Sequence, residues 1–243
     1  DLVISDLLAA DSLLPDAPAN GKYYSATKWA AKAYLAKVYF QQNNFAKAYQ
    51  YANEVIESNK FILDATFDKR FSKGLSTEGI MVIADQTTPN QYNPGVELRN
   101  NFRSDISIPG LTFTDQFYNI ATARSADLRK AWYSNTLQAG YNVLTKYNKN
   151  FFDLPLVHLT EMKLIRAEAG AEIGGANLAV AITDINQLMT RAYGGTTFNL
   201  PLVASAALVI STTRNERELE MVGEGNRTQE IKRIGARNGT NVD

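Results

Sequence analysis

Apolar and small side chains recur every three to four positions from residue 27 to residue 56, and this spacing predicts two amphipathic helices. The first helix places Ala33 and Ala36 on its inward face, and the second helix places Ala48 and Ala52 on the face opposite. An Asn-Asn pair separates the two helices and predicts a turn. Because small side chains allow close approach while neighbouring aromatic rings fill the gaps, the segment predicts an antiparallel helical hairpin.

A second hairpin is predicted near the end of the chain, where residues 157–174 and 177–192 show the same alternation of small and large side chains. A Gly-Gly pair at 174–175 predicts the end of one helix and the turn to the next. Tetratricopeptide repeats are similar, since they pair a small residue late in their first helix with an alanine early in the second. We therefore predict an all-α fold with two tetratricopeptide-like hairpins packed side by side.

The segments outside the hairpins have different patterns. Residues 2–14 predict a short helix that ends before a proline, and residues 206–234 predict a last helical stretch. Residues 79–84 are apolar and predict a short buried strand or an apolar plug. Within the last helical stretch, acidic and basic side chains three or four positions apart predict ion pairs across one helical turn.

The middle of the chain, from residue 85 to about 150, is rich in Asn, Tyr, Pro and Gly. This composition predicts long loops with short helices at 114–118 and 126–133. Long irregular segments inside helical domains are commonly functional. We expect a single domain in three parts, which are a helical part at 1–84, a loop-rich insert at 85–152 and a second helical part at 153–243.

Composition excludes several classes of function. The 243 residues include 25 basic and 25 acidic side chains, so no net charge attracts nucleic acid or an anionic membrane. The chain has no cysteine and one histidine, so we expect no metal site and no cofactor. It has no apolar stretch long enough to span a membrane, and its first residues do not resemble a signal peptide.

Four motifs carry a resemblance to a known family. They are DLLAADSLLP at 6–15 with the hairpin at 30–56, FDKRFSKGLSTEGIMVI at 67–83, the segment at 156–195, and RNERELEMVGEGNRTQEIKRIG at 214–235. Each motif is weak alone, but the four in this order resemble the C-terminal half of the SusD/RagB family. The chain is therefore similar either to the C-terminal portion of such a protein or to an unusually short member.

The resemblance implies a fold and a function. Members of the SusD/RagB family are glycan-binding lipoproteins on the outer face of Bacteroidetes outer membranes. We expect non-enzymatic binding of an oligosaccharide and its delivery to a TonB-dependent, SusC-like outer-membrane transporter. The membrane would be reached only through a lipid anchor that is absent from this chain. In this family part of the glycan site comes from an N-terminal section, so the resemblance implies that the site in this chain is incomplete.

The insert supplies the candidate ligand-binding residues. Aromatic rings stack on sugar C–H faces, and Asn and Arg side chains hydrogen-bond to hydroxyls. The predicted site residues are Asn90, Tyr92, Asn93, Arg99, Phe102, Arg103, Trp132 and Tyr133. The alternative for Trp132 and Phe102 is that they anchor the insert to the helical core.

Two other classes of function stay open. A tetratricopeptide-type scaffold would bind a protein or peptide through its inner helix face. A glycosidase would use two carboxylates, for which Glu220 and Glu224 are candidates on one helix face. We favour an ion-paired structural role for both glutamates, and a core or helix-start position for His158. Glu168 is predicted to form a buried salt bridge with an arginine of the last helix.

Overall fold

The computed structural model describes residues 2–74, 76–85 and 100–237. Helices dominate these residues, and the predicted all-α class is confirmed. In chain order the helices are α1 Leu2–Leu13, α2 Lys28–Gln41, α3 Phe45–Glu57, α4 Asp115–Thr122, α5 Leu159–Ile173, α6 Ala176–Tyr193, α7 Ala206–Glu220 and α8 Arg227–Arg237. The strands are short: β1 Gly79–Ile83, β2 Tyr133–Ser134, β3 Val143–Leu144 and β4 Leu154–His158.

Helices α2 and α3 form the first predicted hairpin. Asn43 turns the chain with a φ of 57°, and the Asn44 side chain caps α3 by accepting the Lys47 N–H at 3.2 Å. The four alanines on the facing sides of the two helices are fully or almost fully buried, as the spacing predicts. Tyr39 and Tyr51 stack beside them with ring centroids 5.7 Å apart. Small side chains therefore set the interhelical distance, and aromatic rings fill the space at its edge.

Helices α5 and α6 form the second hairpin, and α5 packs against α3, so the two hairpins lie side by side. Gly170 allows α5 and α6 to meet closely, because a Cβ there would lie 2.9 Å from the Asn177 carbonyl oxygen. Helix α5 is buried on nearly all sides, since α3, α6 and α7 cover it. Its charged residues form ion pairs inside the protein; Glu168 Oε1, for example, pairs with Arg233 of α8 at 2.9 Å, and this predicted salt bridge is confirmed.

The start of α5 differs from the sequence prediction. Residues 154–158 form strand β4, which pairs antiparallel with β1, so the helix begins at Leu159 and not at residue 157. The predicted strand at 79–84 is confirmed as β1. His158 is the helix cap, because its Nδ1 accepts the Glu161 N–H at 3.2 Å. This buried position at the start of α5 confirms the core or helix-start placement predicted for the histidine.

The last helical stretch is two helices, so the prediction of a single one is wrong. The chain turns at 221–226, where Gly223 and Gly225 have φ angles of +74° and +78°. Most other residue types avoid this left-handed region, and it cannot continue a helix. The prediction of local ion pairs is confirmed for Glu230 and Arg233, which pair at 2.9 Å three positions apart. It is wrong for Glu216 and Glu220, which are buried and pair with arginines far away in sequence.

The described part of the insert, residues 100–152, has an aromatic core of its own. Phe67 and Phe71 of the helical part enter this core, whose remaining members include Trp132, Tyr147 and Phe152. The predicted helix at 114–118 is observed as α4, and the one predicted at 126–133 is a short 3-10 helix at Leu128–Trp132. Residues 86–99 lie outside the described part of the chain, so the insert boundary at residue 85 stays a prediction.

Candidate functional site

A cleft of about 790 Å³ lies between the insert and the C-terminal helices. One wall comes from insert residues 101–117, the second from the turn at 221–226 with the start of α8, and strand β4 lies at the base. The volume falls within the ~300–1,000 Å³ that small-molecule sites usually occupy. Apolar atoms form most of the lining, and polar groups lie at particular points of the wall.

The insert wall is aromatic. Phe102, Phe113 and Phe117 line the cleft and are only partly buried. The Phe113 and Phe117 ring centroids lie 5.1 Å apart, and Phe102 lies 5.6 Å from the buried ring of Tyr147. Between the two phenylalanines, the Thr114 hydroxyl caps α4 by accepting the Phe117 N–H at 3.2 Å. The result is a rigid set of flat apolar faces.

The opposite wall has a polar rim. Arg227, the first residue of α8, pairs with Glu218 of α7 through an Nη2–Oε1 distance of 3.0 Å. Their side chains are 55% and 25% exposed, so both groups can contact a molecule in the cleft. A guanidinium offers five N–H donors and a carboxylate about four acceptor positions, so one ion pair leaves most of this capacity unused.

The base of the cleft contains charged groups that are already paired. Glu224 accepts hydrogen bonds from Lys146 Nζ at 2.5 Å and lies 2.9 Å from His158 Nε2. Burial raises the pKa of the Glu224 carboxyl, but the charges of Lys146, Arg70 and His158 outweigh burial and hold that pKa well below its usual value. Burial also lowers the pKa of the Lys146 ammonium to about 8, against the raising effect of Glu224. Glu224 is therefore an ionised carboxylate.

Behind the base, Glu220 is the centre of a buried ionic cluster. Its Oε1 accepts from Arg191 at 2.6 Å and from Arg70 at 3.1 Å, and its Oε2 accepts from Arg129 at 3.3 Å. Burial raises the pKa of the Glu220 carboxyl, but the three arginines outweigh it and lower the pKa to about 2. Because Arg129 belongs to the insert and Arg191 to α6, the cluster fixes the insert to the helical scaffold.

The turn at 221–226 is held by hydrogen bonds from the insert. Tyr147 donates its hydroxyl proton to the Gly223 carbonyl oxygen at 3.2 Å, and Lys146 Nζ donates to the Val222 carbonyl oxygen at 3.0 Å. A Cβ at Gly223 would lie 2.8 Å from Leu144 Cδ2, so only glycine allows this contact without a shift. The two walls of the cleft are therefore fixed relative to each other.

The residues predicted as ligand contacts are distributed over several places. Phe102 lines the cleft, whereas Arg103 pairs with Asp105 at 2.6 Å and is absent from the lining. Trp132 and Tyr133 are buried, with 3% and 7% of their surface exposed, and the Trp132 ring packs edge-on against Phe67 at 4.8 Å. This burial favours the anchoring role for Trp132. The predicted residues Asn90, Tyr92, Asn93 and Arg99 lie outside the described residues.

Several residues of the cleft were not predicted as contacts: Phe113, Phe117, Glu218 and Arg227. The sequence does contain a local signal for the two phenylalanines. They are four positions apart, and Thr114 between them is a residue type that commonly caps the start of a helix. No such signal exists for Glu218 and Arg227, because their meeting depends on the glycine turn between α7 and α8.

Among residues 2–74, 76–85 and 100–237, none of the helices has the length and apolar character needed to cross a bilayer. The same part of the chain holds no group of three or more His, Cys, Asp or Glu side chains that could bind a metal ion.

Comparisons with known proteins identify the family. The SusD family model matches residues 14–242, and the chain therefore belongs to the SusD family. This confirms the SusD/RagB resemblance of the four motifs and the SusD-like character of the fold. No curated protein sequence matches the chain.

Solved structures show the same fold at low sequence identity. A SusD superfamily protein from Bacteroides thetaiotaomicron is 20% identical, with a TM-score of 0.79, and the match covers 96% of this chain and 54% of that one. A SusD-like carbohydrate binding protein from Bacteroides vulgatus is 19% identical, with a TM-score of 0.75 over 95% of this chain and 50% of that one. A putative sugar binding protein from the same species is 23% identical, with a TM-score of 0.73 over 96% and 52%. The chain thus spans about half the length of these structures.

Proposed function

We propose that this protein binds an oligosaccharide in the cleft without cleaving it. The observation that carries the proposal is the arrangement of the two walls, with partly exposed phenylalanine rings on one side and the Arg227–Glu218 pair on the other. Sugar rings present apolar C–H faces and a perimeter of hydroxyls, and they are bound by flat aromatic faces beside planar polar groups.

The family supports this assignment. The chain belongs to the SusD family, and two of the similar structures are named as carbohydrate- or sugar-binding proteins. We extend the proposal to the cellular role that the family resemblance implies. The protein would act on the extracellular face of the outer membrane, held by a lipid anchor, and would deliver its glycan to a TonB-dependent transporter.

The state of the carboxylates supports binding without catalysis. A glycosidase needs a general acid whose pKa is raised, so that the acid is protonated when it meets the glycosidic oxygen. Glu220 and Glu224 have lowered pKa values, and each is held by cationic partners. Glu220 in addition lies behind the base of the cleft with only 1% of its side chain exposed. Both glutamates are thus suited to holding the fold together.

The scaffold alternative is less well supported. A tetratricopeptide-type peptide site needs polar and basic side chains that are available on the inner helix face. Lys28, Lys32 and Lys37 each pair with a carboxylate of the protein itself, at 3.3, 2.5 and 3.0 Å. These lysines are therefore not available as a row of cations that could bind a peptide carboxylate.

The proposal is tested by calorimetric titration of the protein with a panel of plant and host oligosaccharides. Arg227→Ala should weaken the best ligand at least tenfold, because it removes the exposed donors of the rim. Arg124→Ala is a matched control, since Arg124 is 50% exposed and pairs with Glu216 at 3.2 Å outside the cleft lining. Equal losses in the two variants, or no binding by any glycan, would defeat the proposal.

A second pair of variants tests the aromatic wall. Phe102→Ala should weaken the same ligand, because the ring lines the cleft. Phe151→Ala is the control, because it removes an equally large ring that is 50% exposed and absent from the lining. The Phe151 variant should bind the same oligosaccharide as tightly as the unaltered protein does. Thermal unfolding of each variant separates a loss of contact from a loss of fold.

A further inference from the structure

The charges that line the cleft are balanced. Its cationic side chains are Lys37, Arg214, Arg217 and Arg227, and its carboxylates are Glu161, Glu218, Glu224 and Glu230. Among the described residues the lining therefore carries as many positive as negative charges. This balance is informative because a site for an acidic or a basic ligand usually presents an excess of the opposite charge.

Each cation of the lining already has a carboxylate partner in the protein. Lys37 and Arg217 contact Glu161 at 3.0 and 3.3 Å, and Arg217 also contacts Glu230 at 3.1 Å. Arg227 contacts Glu218 at 3.0 Å. The remaining cation, Arg214, is bound by Glu168 at 2.7 Å and Glu172 at 3.4 Å on α5.

The carboxylates at the base are paired as well. Glu224 contacts Lys146 at 2.5 Å and His158 at 2.9 Å, and its pKa is held well below its usual value. A ligand carboxylate that approached the base would meet Glu224 before it met the buried Lys146. An acidic ligand would need a cation that is free of its carboxylate partner; the exposed donors of Arg227 could still reach it, but Glu218 lies 3.0 Å from that guanidinium and would repel the ligand.

A neutral polyol has no such requirement. Its hydroxyl groups both donate and accept, so they can add to the unused positions of the Arg227–Glu218 pair while the pair stays intact. Its C–H faces fit the apolar wall, where Phe102 and Phe117 are partly exposed. Charge balance and apolar lining thus favour the same class of ligand.

We propose that the cleft selects neutral oligosaccharides and discriminates against glycans that carry carboxylate or sulfate groups, with the Arg227–Glu218 pair as the specificity-determining element. The inference rests on the proposed function and narrows its ligand class. The pair acts by mutual neutralisation, since each partner removes the attraction that the other would exert on a charged sugar.

The first experiment compares two sets of oligosaccharides of four to eight sugar units by calorimetric titration. The neutral set holds malto-, xylo-, manno- and arabino-oligosaccharides, and the acidic set holds oligogalacturonates and chondroitin sulfate fragments. We expect the best neutral ligand to bind at least tenfold more tightly than the best acidic one, with little change between 50 and 500 mM NaCl. Tighter binding of an acidic glycan that weakens with salt would overturn the inference and leave the proposed function standing. Failure of every glycan in both sets would instead defeat the proposed function itself.

The second experiment changes the balance of charge at the rim of the cleft. Glu218→Gln leaves the Arg227 charge without its partner, so the preference for neutral over acidic oligosaccharides should fall at least fivefold. Glu57→Gln is the matched control, because Glu57 is 62% exposed and pairs with Arg166 at 2.8 Å outside the cleft lining. A preference that stays the same in the Glu218 variant, in protein whose thermal unfolding is normal, would show that the pair does not set specificity.

Discussion

The Glu220→Gln substitution tests how the insert is attached to the helical scaffold. Glutamine keeps the shape of the side chain and removes its charge. Glu220 joins three arginines from separate segments, with Arg191 at 2.6 Å, Arg70 at 3.1 Å and Arg129 at 3.3 Å. Loss of the carboxylate therefore removes the one anion that the three buried cations share, although each arginine keeps another carboxylate nearby.

The pKa of Glu220 gives the size of the expected effect. Its value falls from 4.5 to about 2 because the arginine charges outweigh burial. At about 1.36 kcal/mol for each unit, the ionised form is stabilised over the neutral form by roughly 3 kcal/mol. A neutral glutamine should lose a similar amount, and for a chain of this length that corresponds to a fall in Tm of about 6–12 °C.

The lowered pKa of Glu220 also determines how its contribution to the unfolding free energy depends on pH. The carboxyl has a lower pKa in the folded protein than in the unfolded chain, so its contribution is complete above pH 4.5 and is lost as the pH falls through about 2. The difference in unfolding free energy between the unaltered protein and Glu220→Gln should therefore be about 3 kcal/mol at pH 7 and less than half of that at pH 3.

Urea unfolding followed by circular dichroism at pH 7, 5 and 3 measures both quantities. Glu218→Gln is the control, because its partly exposed rim pair should contribute less than about 1 kcal/mol. An unfolding free energy of the Glu220 variant within about 0.5 kcal/mol of that of the unaltered protein, the range usual for surface substitutions, would refute the reasoning. A loss of unfolding free energy that is equal at pH 7 and pH 3 would refute it as well. Oligosaccharide cleavage that is present in the unaltered protein and lost in the variant would support the glycosidase alternative.

Three further substitutions test local features by the same unfolding assay. Gly223→Ala should lower the unfolding free energy by about 2–4 kcal/mol, because φ is +74° and the new Cβ would lie 2.8 Å from a leucine side chain. Gly225→Ala, at φ +78° with open space around it, should lower it by about 1 kcal/mol, and equal losses would contradict the close contact at Gly223. Glu168→Gln should lower the unfolding free energy by about 3 kcal/mol, since it removes the buried carboxylate that Arg214 and Arg233 share and leaves Arg233 with Glu230 alone, and a loss below about 1 kcal/mol would show that the shared carboxylate is not needed. Asn44→Ala should cost about 1 kcal/mol through the lost helix cap, and an unchanged stability would count against that cap.

The helical hairpins could be predicted from the sequence because their determinants are local. Alanines at helical spacing and an Asn-Asn turn lie within thirty residues of one another, and the same physical pattern recurs in α5 and α6. The break between α7 and α8 was missed for a local reason too. Gly223 and Gly225 are visible in the sequence, but the charges around them lie at helical spacing and predict ion pairs along one helical stretch.

The ionic cluster could not be predicted, because its members are far apart in the sequence. Arg70 and Glu220 are separated by 150 residues and Arg129 and Glu216 by 87. An arginine or glutamate within an amphipathic helix is usually solvated, so its pattern does not reveal that another segment will cover it. The cleft could not be predicted for the same reason, since the Arg227–Glu218 pair depends on the turn at 221–226, which Lys146 and Tyr147 of the insert hold.

The cluster also explains how a loop-rich insert can present a rigid wall. Trp132 and Phe71 place their rings 4.4 and 4.5 Å from Lys146 Nζ, and the same ammonium reaches Glu224 at the base of the cleft. The attachment of the insert to the helical scaffold therefore depends on residues whose side chains are buried between the two. Phe102 and Phe113 pack at the edge of the aromatic core and are only partly buried, so we expect their substitution to weaken the attachment of the insert less than loss of the buried charges does. If the cleft is the ligand site that we propose, the residues that attach the insert are therefore largely different from those that would contact the ligand.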